Sequence, residues 1–250
     1  MTKILLTRPL EASRQLARQL DAAGLAAIVM PMYTFAAREP RIDFDSTWLD
    51  DNQRKLAVFT SPRAVEFGLQ HLPENQLDTI EFAVVGAATR ARLESAGQQV
   101  HIQAGSGFTS EDLLQEPELA ANPGDALVFC APGGRRALAD GLVELGWKVR
   151  RAMVYERVDL RPEPEQVEAI LGAHELLSVW TSISALKLAQ KYLPEEAWKR
   201  ILGAPALVIS NRIQHYLIQL GASRVELAEG PGNPDLLDSL LRLTGGRGAD

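Results

Sequence analysis

The sequence of this 250-residue chain contains nearly the same pattern twice. Residues 3–33 read KILLTRPLEASRQLARQLDAAGLAAIVMPMY, and residues 126–155 read ALVFCAPGGRRALADGLVELGWKVRRAMVY. Two further pairs of segments match in the same way, 56–70 with 177–190 and 81–100 with 205–225. Matching landmarks keep an almost constant separation, since Pro9 and Pro132 lie 123 positions apart and Ser61 and Ser182 lie 121 apart. The pattern indicates one unit that was duplicated and then gained short loop insertions.

Each repeat alternates short apolar runs with longer amphipathic segments. Ile4–Thr7 is the continuous apolar run expected of a strand buried on both faces. Ala12–Ala23 has the leucine spacing of a helix that stops at Gly24. By the same criteria we predict strands at 27–33, 57–60 and 82–85, a helix at 62–72 with Ser61 as its N-cap, and a helix from Gly86 through residue 96. Strands that alternate with helices predict an α/β fold with parallel sheets.

Two polar, proline-containing stretches, 36–46 and 157–166, follow the second strand of each repeat. A domain does not easily end inside a βαβ unit, so the repeats are expected to exchange segments. We predict a discontinuous α/β domain formed by 1–35 plus 167–250, and an inserted α/β domain at 40–152. Residues 36–39 and 153–166 would then be hinge linkers, running as a two-stranded connection between two similar parallel-sheet domains with a cleft between them.

Charge and composition exclude several classes of function. The net charge is −6 and no run of Lys and Arg exceeds two residues, which argues against nucleic acid as a partner. The apolar centre of the N-terminal segment is too short for a signal peptide, and no apolar run approaches membrane-spanning length. The single cysteine, Cys130, is interpreted as a core thiol in a reducing cytoplasm. The four histidines share no ligand spacing, so no metal site is expected.

The candidate site lies where the predicted strands end, because ligands of open α/β sheets bind beyond the carboxyl ends of the strands. Helix capping explains any single Ser or Thr there. It does not explain arginines in the first turns of helices, where the helix dipole disfavours cations and where they suggest anion recognition. The candidates for substrate contacts are Arg8, Thr60, Ser61, Arg63, Gly86, Thr89, Gly133, Arg135, Thr181, Ser182, Ser210 and Arg212.

No familiar catalytic motif accompanies these residues. The segment APGGRR lacks the Lys-Ser/Thr of a phosphate loop, and no G-x-G-x-x-G follows a strand. Tyr33 and Tyr155 each stand just before a linker. Such a tyrosine is either a linker aromatic packed on a domain edge or a phenol that acts as a weak acid in the cleft.

Several segments, in their order and spacing, resemble the uroporphyrinogen-III synthase family over essentially the full chain. They are ILLTRP, VFTSPRAVEF, VVGAATRARLESAG, SEDLL, GGRRALADGLVELGWKV followed by VYERV, and WTSISAL. The resemblance implies two α/β domains joined by a two-stranded linker and an enzyme that needs no metal or organic cofactor. It also implies the reaction. Hydroxymethylbilane, a linear tetrapyrrole with eight carboxylates, would lose water and close to uroporphyrinogen III with ring D inverted.

The resemblance also assigns roles to individual residues. Tyr155 matches the family's linker tyrosine and is expected to donate to the departing hydroxyl as the catalytic residue. Thr89 matches a threonine that follows the family's glycine, and Ser182 matches a serine of its cleft. The chain departs from the family at 210–213, where Ser-Asn-Arg-Ile replaces a frequent Gly-x-x-Thr; Arg212 is expected to bind a carboxylate there. We expect a cytoplasmic monomer that takes its substrate in a transient hand-over from the upstream deaminase.

Two alternatives remain open at this point. One is a hinged two-domain binding protein for a small anionic ligand, which would bind without turnover. The other is a regulatory α/β protein that kept the fold and lost the activity, for which the departures around Ser210 are the sequence indication.

Overall fold

The computed structural model of the chain describes residues 2–40, 42, 48, 53–105, 107, 109–133 and 136–245. The strands are, in chain order, β1 (Thr2–Leu6), β2 (Ala26–Val29), β3 (Tyr33–Ala37), β4 (Lys55–Phe59), β5 (Ile80–Val84), β6 (Ile102–Gln103), β7 (Asp125–Cys130), β8 (Lys148–Met153), β9 (Tyr155–Asp159), β10 (Glu175–Trp180), β11 (Ala206–Val208) and β12 (Val225–Leu227). The α-helices are α1 (Leu10–Ala22), α2 (Pro62–Gly68), α3 (Ala87–Glu94), α4 (Ser110–Leu113), α5 (Pro117–Ala120), α6 (Ala137–Glu144), α7 (Pro164–Leu171), α8 (Ile183–Tyr192), α9 (Glu195–Gly203), α10 (Asn211–Gln219) and α11 (Asn233–Leu243). Short 3₁₀ segments lie at Leu69–His71 and Glu74–Thr79.

The chain forms two compact units, each with its own sheet. The composite unit comprises Met1–Thr34 and Val158–Asp250, and the inserted unit comprises Phe35–Arg157. The composite unit holds a five-stranded sheet in the order β12-β11-β10-β1-β2, and the inserted unit holds one in the order β6-β5-β4-β7-β8. Every neighbouring pair in both sheets is parallel. The predicted α/β class with two parallel sheets is thus confirmed.

The two sheets are built from the two repeats in a crossed manner. The composite sheet takes β1 and β2 from the first repeat and β10 to β12 from the second. The inserted sheet takes β4 to β6 from the first repeat and β7 and β8 from the second. Each sheet therefore contains one complete set of repeat strands, although neither repeat forms a sheet by itself.

Repeated glycines end the helices at matching places. Gly24 follows α1 with φ of 77°, and its counterpart Gly146 follows α6 with φ of 95°. These left-handed conformations are accessible to glycine at little cost, and they turn the chain from each helix into the next strand. The landmark spacing in the sequence therefore reflects a backbone requirement.

The predicted strand 27–33 is in fact two strands. β2 ends at Val29, and Tyr33 begins β3, which pairs with β9 in a separate two-stranded sheet. The pairing is antiparallel, since Leu160 N–H donates to Met32 O and Arg38 N–H donates to Val154 O, both at 2.9 Å. The chain passes from one unit to the other within β3 and again within β9.

The predicted helix 62–72 ends its α-helical part at Gly68 and continues as a 3₁₀ turn. Gly68 lies against an aromatic layer, because a Cβ at this position would meet the Phe129 ring at 2.6 Å. Phe129 in turn stacks on Phe59 with ring centroids 4.6 Å apart. The absence of a side chain at Gly68 lets α2 approach the sheet closely.

The N-terminal ends of the central strand pairs, β4–β7 in the inserted unit and β1–β10 in the composite unit, differ in charge and burial. In the inserted unit, Lys55 of β4 is the register partner of Asp125 of β7, and the two residues are 1% and 4% exposed. Asp125 accepts from the Arg150 guanidinium at 2.6 Å and lies 3.8 Å from Lys148 Nζ. In the composite unit the corresponding first pair is Thr2 with Glu175, which is exposed.

Candidate functional site

Each five-stranded sheet has a point at which its strand order reverses. In the inserted unit the chain runs outward from β4 to β6 and then returns to β7, which lies beside β4. In the composite unit β10 and β1 are the neighbours from which the order runs outward in both directions. The loops that leave such neighbouring strands diverge, so a crevice opens beyond their carboxyl ends. Most of the predicted site residues lie at these ends.

Ser61 and Tyr155 form the most specific polar contact at the strand ends of the inserted unit. Ser61 follows β4 and caps α2, with its Oγ accepting from the Ala64 N–H at 3.1 Å. The Tyr155 hydroxyl lies 3.0 Å from the same Oγ, and either oxygen can be the donor in this bond. One serine hydroxyl thus links the first turn of a helix to a phenol from β9.

Aromatic side chains hold the Tyr155 ring. The Phe35 ring meets it edge-on with centroids 5.7 Å apart, and the Phe67 ring stacks on it at 5.9 Å. Tyr155 is only 9% exposed, so both its ring and its hydroxyl have a fixed direction. Arg63 lies over the Phe35 ring at 5.4 Å and also forms an ion pair with Glu66. Its charge is therefore partly neutralised by a neighbour on its own helix.

Two threonine hydroxyls connect the strands at the reversal points. Thr60 Oγ1 donates to Phe129 O at 3.0 Å, which ties the end of β4 to β7. Thr7 Oγ1 donates to Val179 O at 2.7 Å, which ties the end of β1 to β10. After β7 the chain turns at Gly133, whose φ of 72° favours glycine. These residues give the strand ends a defined shape.

The serines of the composite unit are helix caps. Ser182 Oγ accepts from Ala185 N–H at 3.1 Å at the start of α8, and Ser210 Oγ accepts from Ile213 N–H at 3.4 Å at the start of α10. Thr181 is half-buried between β10 and α8, whereas Arg212 is exposed in the first turn of α10.

The contacts of Arg8 are made with residues of its own unit. Its guanidinium donates to Asn233 Oδ1 and lies 3.4 Å from Pro231 O, next to the start of α11. Burial lowers the pKa of the Arg8 guanidinium below its usual value. A carboxylate bound at this point would have to share the guanidinium with Asn233.

The remaining predicted residues are placed less favourably. Gly86 precedes α3, and no heavy atom would lie within 4 Å of a Cβ there, so its backbone is approachable. Thr89, one turn into α3, is only 3% exposed, and a substrate contact would need a rearrangement. Arg135 lies outside the described residues. Cys130 is buried, as predicted, and accepts from the Arg151 guanidinium at 3.6 Å.

The sequence analysis did not identify Phe35 and Phe67 as parts of the site. Phe35 is only two positions from Tyr33 in a linker strand, and Phe67 reads as an ordinary helix residue of VEFG. The signal that could have found them is the pairing of the two linker strands, which places Phe35 beside Tyr155.

A cavity of about 940 Å³ lies at the opposite edge of the composite sheet and is lined by Thr2, Glu175, Glu196, Arg200 and Arg224 among others. We assign no substrate to it because two carboxylates face it and because Arg200 is already bound to Ile170 O and Ala173 O.

Within the described ranges, no three His, Cys, Asp or Glu side chains are grouped to hold a metal ion. No helix among the same residues is long and apolar enough to cross a membrane.

The fold and the strand-end hydroxyls define a class of α/β proteins in which duplicated halves exchange segments between two units. Residues 14–238 match the family model described as uroporphyrinogen-III synthase HemD. The chain belongs to the uroporphyrinogen-III synthase family, whose members are lyases of tetrapyrrole and heme biosynthesis.

Individual relatives agree with this assignment. The uroporphyrinogen-III synthase of Escherichia coli strain K12 is 26% identical over 247 residues, covering 95% of this chain and 99% of that protein. The one from Salmonella typhimurium is 28% identical over 255 residues, with the same coverage. Two solved structures share the fold. The Helicobacter pylori 26695 uroporphyrinogen-III synthetase has a TM-score of 0.63 at 21% identity, covering 97% of this chain and 100% of that one. A mutant synthase from the extremely thermophilic bacterium Thermus thermophilus has a TM-score of 0.57 at 18% identity, covering 99% and 100%.

Proposed function

We propose that this chain closes hydroxymethylbilane to uroporphyrinogen III with inversion of ring D. The observation that carries the proposal is the family match over residues 14–238 together with the hydrogen-bonded Ser61–Tyr155 pair at the strand ends. The first supports the reaction, and the second supports Tyr155 as the proton donor, because its hydroxyl is held at 3.0 Å from Ser61 Oγ. Backbone N–H groups and hydroxyls at the strand ends would hold the substrate carboxylates.

Tyr155 is the proposed donor to the departing hydroxyl. Ser61 Oγ already accepts from Ala64 N–H, and its own proton is free to be donated to the Tyr155 oxygen. In that arrangement the phenol proton is not used in the bond to Ser61 and can be donated to a bound substrate. The same serine bond stabilises the phenol oxygen as its proton is transferred.

The reaction then proceeds mainly through positioning. The C–O bond of the hydroxymethyl group breaks with its electron pair going to oxygen, which leaves as water with the donated proton. The substituted carbon of ring D attacks the resulting cation, giving a spirocyclic intermediate that opens and recloses. Loss of a proton from the ring carbon completes uroporphyrinogen III and balances the proton that Tyr155 donated. Unassisted closure gives the symmetric isomer I, so the enzyme must hold the folded conformation of the chain.

We further propose that the protein acts in the cytoplasm as a monomer that receives its substrate from the upstream deaminase. The buried free thiol of Cys130 supports a reducing compartment. The negative net charge of −6 restricts recognition of an octacarboxylate to local groups.

The isomer ratio of the product tests the function directly. Hydroxymethylbilane would be generated in place by its deaminase, with and without this protein, and the oxidised porphyrins would be separated by chromatography. We expect a shift from isomer I to isomer III. Isomer I alone from the folded protein would contradict the enzyme assignment and favour the two-domain binding protein for an anionic ligand.

A further inference from the structure

A second cavity of the composite unit lies at the same sheet edge as the proposed strand-end contacts. It measures about 410 Å³, within the range of about 300–1,000 Å³ typical of small-ligand pockets. Its wall is formed by Val29 at the end of β2, Pro31 after it, Leu160 after β9, and Leu10 of α1. Since β2 is the neighbour of β1, the cavity adjoins the strand end that carries Thr7 and Arg8.

Two arginines give this apolar cavity a positive rim. Arg14 reaches it from α1, one turn after Leu10, and Arg161 reaches it from the segment after β9. Both side chains are exposed, and no described carboxylate lies within the ion-pair distance of either guanidinium. Arg18, the next arginine of α1, differs because it lies 3.9 Å from Glu11. Neither Arg14 nor Arg161 is therefore ion-paired with a described carboxylate.

The Arg161 side chain is held in place by an aromatic ring. Its guanidinium lies over Tyr192 at 5.3 Å from the centroid, and Lys191 Nζ lies 4.6 Å from the same centroid. A hydrogen bond to Tyr192 raises the pKa of Lys191, and the charges of Asp159 and Arg161 act on it in opposite directions. Stacking of this kind lowers the conformational freedom that Arg161 would lose on binding an anion.

One carboxylate, that of Glu163, also lines the cavity. At the start of α7, Gln166 Oε1 accepts from Glu163 N–H at 2.8 Å, and Gln166 N–H donates to Glu163 O at 3.0 Å. Gln166 also donates its Nε2 to Val29 O at 2.8 Å, so the helix start is tied to the end of β2. This network fixes the backbone of Glu163, whose exposed carboxylate is the one negative charge among the lining residues, against the two guanidinium groups of Arg14 and Arg161.

We propose that Arg14 and Arg161 bind a carboxylate of one acetate- and propionate-bearing pyrrole ring, whose apolar part packs against Leu10, Pro31 and Leu160. This inference rests on the proposed function for the identity of the octacarboxylate. It explains how an acidic protein recognises an acidic substrate, since Arg8 is held by Asn233 and Arg63 by Glu66. Arg14 and Arg161 are positioning residues.

The test compares the double variant Arg14→Gln/Arg161→Gln with the matched single-charge control Arg18→Gln. Two readouts are used, namely KM and kcat with hydroxymethylbilane, and the Kd of uroporphyrin III, the oxidised octacarboxylate product, measured by quenching of tryptophan fluorescence. We expect the double variant to raise KM and Kd by about three- to tenfold with kcat within about twofold. The salt dependence of Kd should also become weaker in the double variant than in the wild type. Arg18→Gln should resemble the wild type.

The two proposals fail in different ways. Wild-type product that is isomer I alone overturns the proposed function, whereas the Kd comparison still decides on the arginine pair. A double variant with the Kd, salt dependence and KM of the wild type overturns the arginine proposal, even where the wild type makes isomer III. Restoration of wild-type Kd in Arg14→Lys/Arg161→Lys would support charge recognition, since the lysines keep the charge and not the planar geometry.

Discussion

The two units carry the same Thr-Ser sequence after equivalent strands, but only one of the two serines meets a phenol in the described structure. Ser61 and Ser182 each accept from the backbone N–H three residues later, at 3.1 Å in both units. Ser61 also lies 3.0 Å from the Tyr155 hydroxyl. The repeat counterpart of Tyr155 is Tyr33, which packs on the hydrophobic core of the composite unit. Duplication therefore preserved the scaffold, whereas the serine–phenol contact that we propose to be catalytic is not repeated.

The same contrast exists at the opposite edges of the sheets. The inserted unit buries the register pair Lys55 and Asp125 with Arg150 and Lys148 nearby, whereas in the composite unit Thr2 is half-buried and Glu175 is exposed. Removing one member of a buried ion pair lowers the free energy of unfolding strongly, because the other charge then stays buried without it. An exposed ion pair contributes little to the free energy of unfolding. The two sheets share their topology and differ in how strongly charge is used to hold them.

Asp125→Ala tests this difference and is expected to have the largest effect on stability. Removal of the buried carboxylate breaks the 2.6 Å ion pair with Arg150 and takes a negative charge from beside the buried Lys55, which should lower the free energy of unfolding by about 3 kcal/mol. Glu175→Ala should lower it by less than about 1 kcal/mol. Urea denaturation followed by tryptophan fluorescence would measure both. Equal midpoints for the two variants would contradict the comparison.

The fold class was predictable because it depends on patterns that survive substitution. Apolar runs of strand length, helical spacing and the glycines after α1 and α6 are all readable in the sequence. The end of β2 was missed because the apolar character of 27–33 continues through the buried Met30 and Met32, although Pro31 is a sequence signal against one continuous strand. Only the antiparallel partner strand β9 shows that the chain has left one sheet and entered another.

The candidate site was predictable in its location and less so in its contacts. The rule that ligands bind beyond strand carboxyl ends gives Ser61, and the family resemblance gives Tyr155. The sequence does not show that Arg63 pairs with Glu66 or that Arg8 pairs with Asn233, because such partnerships depend on side-chain geometry. Roles for these residues remain proposals.

Tyr155→Phe sharpens the comparison between the two linker tyrosines. Loss of the phenol hydroxyl removes the proposed donor and leaves the ring between Phe35 and Phe67, so kcat should fall about tenfold, or about 1.4 kcal/mol in the barrier. The product should remain isomer III, since positioning is intact. Tyr33→Phe should keep the wild-type kcat. The measurement is the initial rate and isomer ratio with hydroxymethylbilane. Complete loss of activity in a well-folded Tyr155→Phe protein would contradict the view that positioning dominates.

Ser61→Ala and Ser182→Ala form the most closely matched pair of variants. Each removes an N-cap bond of the same length, and each should lower the free energy of unfolding by about 1 kcal/mol. Ser61→Ala also removes the hydroxyl that we propose orients the Tyr155 proton, so its kcat should fall by about threefold, and this loss should nearly vanish in the Tyr155→Phe background. Ser182→Ala should instead raise KM, because we propose Ser182 as a substrate contact and no tyrosine hydroxyl of the described residues bonds to it. A kcat loss of the same size in both variants, or one that simply adds to that of Tyr155→Phe, would show that the serine acts through the helix cap alone.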